Sequence, residues 1–507
     1  MTLPSPLVMS PQQSCFTRAV TRVREGATLV SALSFLACTP APTYDVVLAG
    51  GRVMDPASGT DATLHVGIIG DTIAALSADP LAGKDTVDVT GLVVAPGFID
   101  LHAHGQTEGD MQLQARDGVT TALDMEAGVF PVAPWYTAME GKVPLNFGAT
   151  VGHRPARYNV FHDGVEIGHG PTNPRPILAL GPLPRGANQA ATGVQIASLE
   201  TAMSQGLDEG GLGLGFGINY SPGATQEEIE RLFAVAAGRR VPVFVHTRAF
   251  GVAPIREVVH AAAKSRTALH VVHVASSSVG DLPLSLALLD SARAAGMDVT
   301  TEAYPYTAGS TRLESAMFNP GWQDNLRVDY GDLAWPQTGE RLTKESFERY
   351  RKQGGWVVIH MMKEENVDKA IAHPGVMIAS DGVPYVNGTG HPRGAGTYAR
   401  VLGHYVREQQ SLTLMDALSR MTILPARRLE SFVPQMAKRG RVARGAFADL
   451  TVFDPARVVD RATFTEPALT SVGIPHVLVN GAFVVRDGAL VAGARPGRAI
   501  RVPPKKP

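Results

Sequence analysis

The chain has 507 residues, and its 46 Lys and Arg residues almost balance its 47 Asp and Glu residues. This length exceeds a typical single domain, so we expect one large domain with an accessory domain, or two to three domains. No block of basic residues interrupts the body of the chain, which argues against nucleic-acid binding and favours a small-molecule partner.

The first 43 residues are typical of an export leader and linker, because three arginines precede an apolar run over residues 27–37: Arg18, Arg22 and Arg24. The run is too short to span a bilayer. Residues 35–38 resemble a bacterial lipobox, which predicts an exported protein, periplasmic or anchored to the membrane by a lipid on Cys38. The alternatives are an ordinary secretory peptide and the tail of a cytoplasmic enzyme.

Cysteine is confined to this leader, at Cys15 and Cys38. The body of the chain therefore has neither a disulfide nor a thiolate ligand, and histidines and carboxylates must hold any metal ion.

Short β-branched runs occur at both ends of the body, over residues 44–55, 65–76, 448–454 and 476–488. Asn480 and Gly481 form a hairpin-turn signal inside the last run. The two clusters predict one small β-sandwich built from residues 44–95 and 436–507.

Between these clusters, apolar strand-like runs alternate with helical stretches. The strand-like runs include residues 241–245, 269–272 and 375–379, and the helical stretches include residues 226–237 and 254–263. Repeated βα units over residues 96–435 predict a closed parallel (β/α)8 barrel of the TIM type. Residues 307–355 break the rhythm, with one helical stretch at 344–352, and predict an insertion or lid over the barrel mouth.

Five residues of metal-ligand type follow predicted strands. His102 and His104 close an apolar run, and alternation along a strand places both rings on one face. His246, His273 and Asp381 end three later runs, where barrel enzymes carry their chemistry. One such residue alone is explained by a backbone hydrogen bond or a turn; five together predict a zinc site.

Residues 95–104 resemble the first-strand signature of the amidohydrolase superfamily. Five later segments resemble the N-acyl-D-amino-acid deacylase (D-aminoacylase) family: 243–248, 302–310, 379–382, 391–393 and 439–449. The resemblance runs from about residue 44 to residue 501 and implies one or two zinc ions on the five residues named above.

Members of that family carry a bridging cysteine after a Gly-Val-Thr-Thr strand, and this chain has none after residues 118–121. Glu126 is the candidate bridging ligand instead, because one carboxylate can bind two metal ions. Asp124 is its rival on the same face, and the alternative for Glu126 is that it only begins a loop.

The resemblance implies hydrolysis of an amide C–N bond by metal-activated water, with Asp381 as general acid and base. The chain contains neither a Gly-x-Ser-x-Gly elbow nor a P-loop, which disfavours serine and nucleotide hydrolases.

Arg393 and Arg248 are the candidate guanidinium partners for a substrate carboxylate. Tyr220, Tyr304 and Tyr306 are candidate hydroxyl donors. The alternatives are structural ion pairs for the arginines and packing roles for the tyrosines.

One departure weakens the substrate assignment. The deacylases have a lysine two residues after the second strand-end histidine, where this chain has Ala275. Residues 273–277 instead resemble dihydroorotases and hydantoinases, so a cyclic amide hydrolase is the alternative, together with a dipeptidase. A deaminase or isomerase on the same scaffold and, in a different class, a non-catalytic binding lipoprotein also remain open.

Overall fold

The computed structural model describes residues 43–162 and 184–504. The predicted leader, with its arginines and Cys38, lies outside the described residues. Among the described helices, none combines the length and the apolar character that crossing a bilayer requires.

The body begins with five strands: Tyr44–Asp55 (β1), Thr60–Ile69 (β2), Thr72–Ser77 (β3), Gly83–Asp88 (β4) and Val93–Pro96 (β5). The run expected as one strand at 65–76 is two strands, because the chain reverses at Gly70, whose φ of 57° glycine adopts without strain.

Seven strands follow, separated by helices. The strands are Phe98–Asp100 (β6), Val119–Val129 (β7), Asn146–Gly152 (β8), Leu214–Gly217 (β9), Val243–His246 (β10), Leu269–Val271 (β11) and Val299–Ala303 (β12). The helices are Glu108–Arg116 (α1), Val132–Met139 (α2), His153–Phe161 (α3), Pro184–Asn188 (α4), Gly193–Asp208 (α5), Gln226–Arg239 (α6), Val252–Ser265 (α7), Val274–Ser278 (α8) and Leu282–Ala294 (α9).

An insertion then forms an antiparallel sheet of its own. It contains Ala308–Arg312 (β13), Trp322–Leu326 (α10), Leu333–Ala334 (β14), Lys344–Gln353 (α11) and Trp356–His360 (β15). The strand order is β13-β15-β14, and a separate apolar cluster rich in Trp, Phe and Tyr lies beneath it. The insertion thus continues through β15, beyond the predicted end at residue 355.

The remaining elements are Glu364–Ala372 (α12), Val376–Ile378 (β16), Arg393–Arg400 (α13), the π-helical turns Val401–Glu408, Leu414–Met421 (α14), Ile423–Glu430 (α15), Leu450–Phe453 (β17), His476–Val479 (β18), Ala482–Arg486 (β19) and Ala489–Leu490 (β20).

Eight strands form the barrel, in the order β6 to β12 and then β16, and every neighbouring pair is parallel. A parallel bridge between Ala103 and Gly382 links the two edges. The predicted (β/α)8 barrel is therefore confirmed, and the residues that follow its strands share one mouth.

Strands from both ends of the body lie in one nine-stranded sheet, where β17 pairs with β5. This confirms the small β domain built from both chain ends. The apolar stretch that leads to His102 is not one strand, because β5 belongs to this sheet and β6 to the barrel. The chain passes between them at Gly97, where a Cβ atom would lie 2.2 Å from the Thr120 side chain.

Candidate metal centre

His102 and His104 follow β6 and point into the barrel together. Their Nε2 atoms lie 3.0 Å apart, and Oε2 of Glu126 lies 2.9 Å and 3.1 Å from them. Oδ1 of Asp381 lies 3.5 Å from both Nε2 atoms. All four side chains are buried, so they form one compact cluster of possible metal ligands.

A second cluster shares Glu126. Its other carboxylate oxygen, Oε1, lies 3.3 Å from Nδ1 of His246, which in turn lies 3.1 Å from Nε2 of His273. Glu126 thus has one oxygen in each cluster, which is the placement of a ligand that bridges two metal ions.

Local backbone irregularities aim these side chains. The pairing of β7 with β8 shifts register between Asp124 and Val129, around Glu126. Such irregularities re-aim side chains next to active sites. His273 and Asp381 have φ values of 33° and 51°, in the left-handed region that non-glycine residues rarely adopt. Strained residues of this kind concentrate at functional sites.

Asp124, the rival candidate, lies on the far side of His104, with Oδ1 3.3 Å from Nδ1. It also accepts hydrogen bonds from the N–H groups of Ala127 and Gly128, at 3.2 Å and 3.3 Å. Asp124 therefore contacts one histidine, at the ring nitrogen of His104 that faces away from the cluster, whereas Glu126 contacts three histidines: His102, His104 and His246.

Glu302 in β12 is a site residue that the sequence analysis missed. Its Oε1 accepts a hydrogen bond from Nδ1 of His102 at 2.7 Å, and Oε2 pairs with Nε2 of the buried His270. A carboxylate on Nδ1 leaves Nε2 as the metal-facing nitrogen of His102. Like Asp381, Glu302 is a carboxylate near a strand end, which is the signal in the sequence for its role.

The carboxylates of the site control the charge of the histidines. Burial favours neutral imidazole, but Asp381, Glu126 and Glu302 raise the pKa of His102 to about 10. For His273, burial and the neighbouring His246 lower the pKa to about 3, so its ring is neutral at physiological pH. The surrounding carboxylates therefore favour a positive charge at His102, where a bound metal ion can take the place of the proton, and the neutral ring of His273 can bind a metal ion directly.

The donor set fits zinc. The candidate ligand atoms within each cluster all lie within 4.8 Å of one another. Tetrahedral zinc with bonds of about 2.0–2.1 Å places its ligand atoms about 3.3 Å apart, close to the separations found here. Imidazole and carboxylate are ligands that zinc accepts.

A cavity opens above the clusters and brings three of the five predicted substrate-binding residues together: Tyr220, Tyr304 and Arg393. Nη1 of Arg393 lies 3.0 Å from Oδ2 of Asp381, and its guanidinium stacks on the Tyr304 ring at 4.6 Å. Sequence reasoning did not find Ser276, Ser310 and Thr311, which add hydroxyl groups to the lining.

The structure does not bring Arg248 or Tyr306 to this lining. The Arg248 guanidinium instead contacts Glu257 at 3.0 Å and donates to the carbonyl oxygen of Ala224 at 2.7 Å. The Tyr306 hydroxyl donates to Asp460 at 3.2 Å. Both are structural contacts, in line with the alternatives stated for these residues.

The model of the Amidohydrolase family matches residues 85–485, most of the chain. The chain belongs to the amidohydrolase family. This amidohydrolase is therefore a metal-dependent enzyme that hydrolyses C–N bonds of the amide type other than peptide bonds.

Two curated proteins are similar to this amidohydrolase over nearly their whole length. N-acyl-D-glutamate deacylase of Alcaligenes xylosoxydans xylosoxydans is 33% identical over 90% of the chain and 96% of the relative. D-aminoacylase of the same organism is 32% identical, over 90% and 97%. A crystal structure of N-acyl-D-glutamate deacylase from Bordetella bronchiseptica, complexed with zinc and a phosphonate inhibitor, has a TM-score of 0.76 at 29% identity and covers 91% of this chain and 100% of that one.

Proposed function

We propose that this amidohydrolase is a zinc-dependent deacylase of N-acyl-D-amino acids. The observation that carries the proposal is the pair of ligand clusters joined through Glu126 at one end of a cavity that also holds Arg393. The names of the two curated relatives, both deacylases of D-amino-acid conjugates, support the same substrate class.

The residues that would hold zinc are the four histidines, Glu126 and Asp381: His102, His104, His246 and His273. When bound, zinc supplies a Lewis acid that polarises the amide carbonyl and activates water for attack.

Asp381 would move the proton. Burial favours its protonated form, but Arg393 and His102 hold the pKa of Asp381 well below its usual range. The resting group is therefore a carboxylate that can accept a proton from the attacking water and pass it to the leaving nitrogen. Arg393 also fixes its orientation, since Nη1 contacts Oδ2 while Oδ1 faces His102 and His104.

Tyr220 would bind the substrate through its hydroxyl. Thr311 donates a hydrogen bond to this oxygen at 3.0 Å, so the hydroxyl proton of Tyr220 remains available to a substrate oxygen. Burial raises the pKa of Tyr220, which keeps that proton in place. Arg393 is the guanidinium available to the substrate carboxylate.

A cyclic amide hydrolase is the second candidate, favoured by Ala275. The deacylases have a lysine at this position, whereas Ala275 packs in the apolar core of the barrel. Cyclic amides therefore belong in the activity test.

The test is hydrolysis by zinc-loaded enzyme of N-acetyl-D- and N-acetyl-L-amino acids, dipeptides, hydantoins and dihydroorotate. We expect turnover of D-conjugates, and Asp381→Asn should lower kcat by about 10³-fold. Preference for a cyclic amide would replace the proposal by the second candidate. Asp381→Asn with full activity would overturn the proposed role of Asp381.

We also propose that the protein is exported and lipid-anchored at Cys38, on the strength of the arginines, the apolar run and the lipobox-like residues 35–38. Expression with a radiolabelled fatty acid should label the wild type in the membrane fraction and leave Cys38→Ser unlabelled. Equal labelling of both, or neither, would contradict the anchor.

A further inference from the structure

Arg393 is the first residue of α13, so the position of this helix determines where its guanidinium lies. The guanidinium contacts Asp381 and the Tyr304 ring, and the side chain is 1% exposed. A shift of α13 would therefore move a buried charge relative to the carboxylate that it orients. Such shifts matter for turnover, because a misplacement of about 1 Å at a positioned group can cost about 100-fold in rate.

The last turn of α13 is held by the buried carboxylate of Asp117, which is 2% exposed. Oδ2 of Asp117 accepts a hydrogen bond from the N–H of Tyr398 at 2.8 Å, and Oδ1 accepts one from the N–H of Ala399 at 3.0 Å. Oγ of Ser471 donates to Oδ1 at 2.7 Å and lies 3.1 Å from the carbonyl oxygen of Ala395. One carboxylate thus accepts from two backbone N–H groups and a hydroxyl.

These side chains contact the helix where its geometry changes. In a regular α-helix, the N–H of Ala399 donates to the carbonyl oxygen of Ala395. Here Asp117 contacts that N–H and Ser471 contacts that carbonyl oxygen, and π-helical turns follow at Val401–Glu408. A side chain that inserts into the hydrogen-bond ladder of a helix sets a local bend, and π-helical turns are frequent at functional sites. The two side chains therefore fix the course of α13.

Asp117 also connects α13 to the segment that carries the first metal ligands. The α1 helix begins shortly after His104 and ends directly before Asp117. Gln114 in α1 is 3% exposed and donates from Nε2 to the carbonyl oxygen of Gly105 at 2.8 Å, which ties the helix back to the ligand segment. Asp117 thus sets the distance between the metal ligands and the helix that begins with Arg393.

Resting on the proposed function, in which Arg393 binds the substrate carboxylate, we infer that Asp117 is a positioning residue for Arg393 and that Ser471 assists it. Asp117 is not among the described residues that line the cavity, so it acts through the backbone of α13. Asp117→Asn keeps the shape of the side chain but replaces one acceptor oxygen by a donor, which would face a group that itself needs an acceptor. The end of α13 would then shift, and the substrate carboxylate would lose the placement of its partner.

The experiment compares two substrates that differ only at the α-carboxylate: the best N-acetyl-D-amino acid of the activity panel and its α-carboxamide. Acetate release by the zinc-loaded enzyme is the measurement. Burial raises the pKa of Asp117 to about 7, so the assays are made at about pH 8.5, where its carboxylate is ionised. We expect the wild type to prefer the acid, and Asp117→Asn should lower the acid-to-amide ratio of kcat/KM by about tenfold or more, mainly through a higher KM for the acid.

Asp55→Asn is the matched control. Asp55 is also fully buried, and its carboxylate accepts from two N–H groups and a serine hydroxyl, those of Ala57 and Ser58. It ends β1 in the terminal sheet, so its substitution should lower the melting temperature but change the acid-to-amide ratio by less than about twofold. Ser471→Ala is the second test variant, because it removes one small group, and it should lower the ratio by about threefold or more.

An unchanged ratio in both Asp117→Asn and Ser471→Ala would overturn the inference, as would an equal loss of turnover for acid and amide. If Asp117→Asn does not fold, the ratio in Ser471→Ala decides. A wild-type enzyme that hydrolyses D-conjugates without preferring the acid would overturn the inference and leave the deacylase proposal intact. Failure to hydrolyse any D-conjugate would remove the proposed function itself.

Discussion

At the residue scale, Glu126 is the group on which the paired clusters depend, because its two oxygens face different histidines. Glu126→Gln removes the negative charge and replaces one acceptor oxygen by a donor. We expect zinc content to fall and activity to drop by about 100-fold or more. Elemental analysis and amide hydrolysis on the same preparation measure both effects.

Asp124→Asn is the comparison for this variant, since Asp124 contacts only the outer nitrogen of His104 within the cluster. We expect it to retain zinc and to lose about tenfold in activity. If Asp124→Asn lost zinc while Glu126→Gln kept it, the assignment of the bridging ligand would reverse.

Glu302 acts through His102 and is a positioning residue. Glu302→Gln keeps the shape, but its single carbonyl oxygen cannot serve both His102 and His270 as the two carboxylate oxygens do. We expect zinc affinity to fall by about 10- to 100-fold, measured by competition with a chelator. Glu314→Gln is the control, because Glu314 is also a buried carboxylate but pairs with Arg312 in the insertion. An equal loss of affinity in both variants would contradict the assignment.

The sequence predicted the residues that the structure brings together at the strand ends, because strand alternation and parallel topology both place them at one mouth. It did not predict Glu302, although this carboxylate also lies near a strand end, because the contact with Nδ1 of His102 across the barrel becomes visible only in the fold. Nor did it separate Arg393 from Arg248. Both follow strand-end ligands, and only the fold shows that Glu257 holds Arg248 away from the cavity.

At the scale of elements, the insertion contributes Met317 and Ile359 to the cavity lining, and its last strand contains a pH-sensitive residue. Burial, followed by the charge of Arg341, lowers the pKa of His360 in β15 to about 4. A histidine held neutral in the folded state stabilises it above the unfolded pKa of about 6.5, and this stability is lost as the pH falls towards 4.

We therefore expect the insertion to become more sensitive to limited proteolysis between pH 6.5 and 4, with a loss of about 1–2 kcal/mol from this residue. His360→Gln cannot be protonated, so its cleavage rate at residues 308–360 should depend less on pH over that interval. The same acid dependence in the variant and the wild type would exclude His360 as the cause.

Element types were easier to predict than their boundaries. The α6, α7 and α11 helices begin within two residues of their predicted starts, since their apolar spacing is regular. The run at 65–76 contains a reversal at Gly70, and the stretch from residue 93 changes sheet at Gly97. The stretch around Gly97 is apolar on both sides, so periodicity alone does not detect the change of sheet, whereas Gly70 and Asp71 form a turn signal that the single predicted strand did not use.

At the scale of the whole molecule, a buried polar network joins the terminal sheet to the barrel. Asp449 pairs with Arg439 and accepts hydrogen bonds from the Asn480 N–H at 2.7 Å and from Asn146 Nδ2 on β8 at 3.2 Å. Asn480 donates back to Asn146 at 2.8 Å. The C-terminal part of the sheet domain thus meets the barrel through one set of contacts, and the described residues from 43 onward belong to one compact unit.

Removal of the central carboxylate tests this connection. Asp449→Ala leaves the Arg439 guanidinium, 1% exposed, without its charged partner. We expect the free energy of unfolding to fall by about 3–5 kcal/mol, measured by calorimetry and urea titration. Asp85→Ala, which removes the nearer of two carboxylate partners of the exposed Arg486 in the same sheet, should cost less than about 1 kcal/mol. Because the network joins the sheet to the barrel, Asp449→Ala should lower the midpoint of one unfolding transition that both parts share. If the sheet instead unfolded early in a separate transition, with the barrel unaffected, the two parts would be stabilised independently.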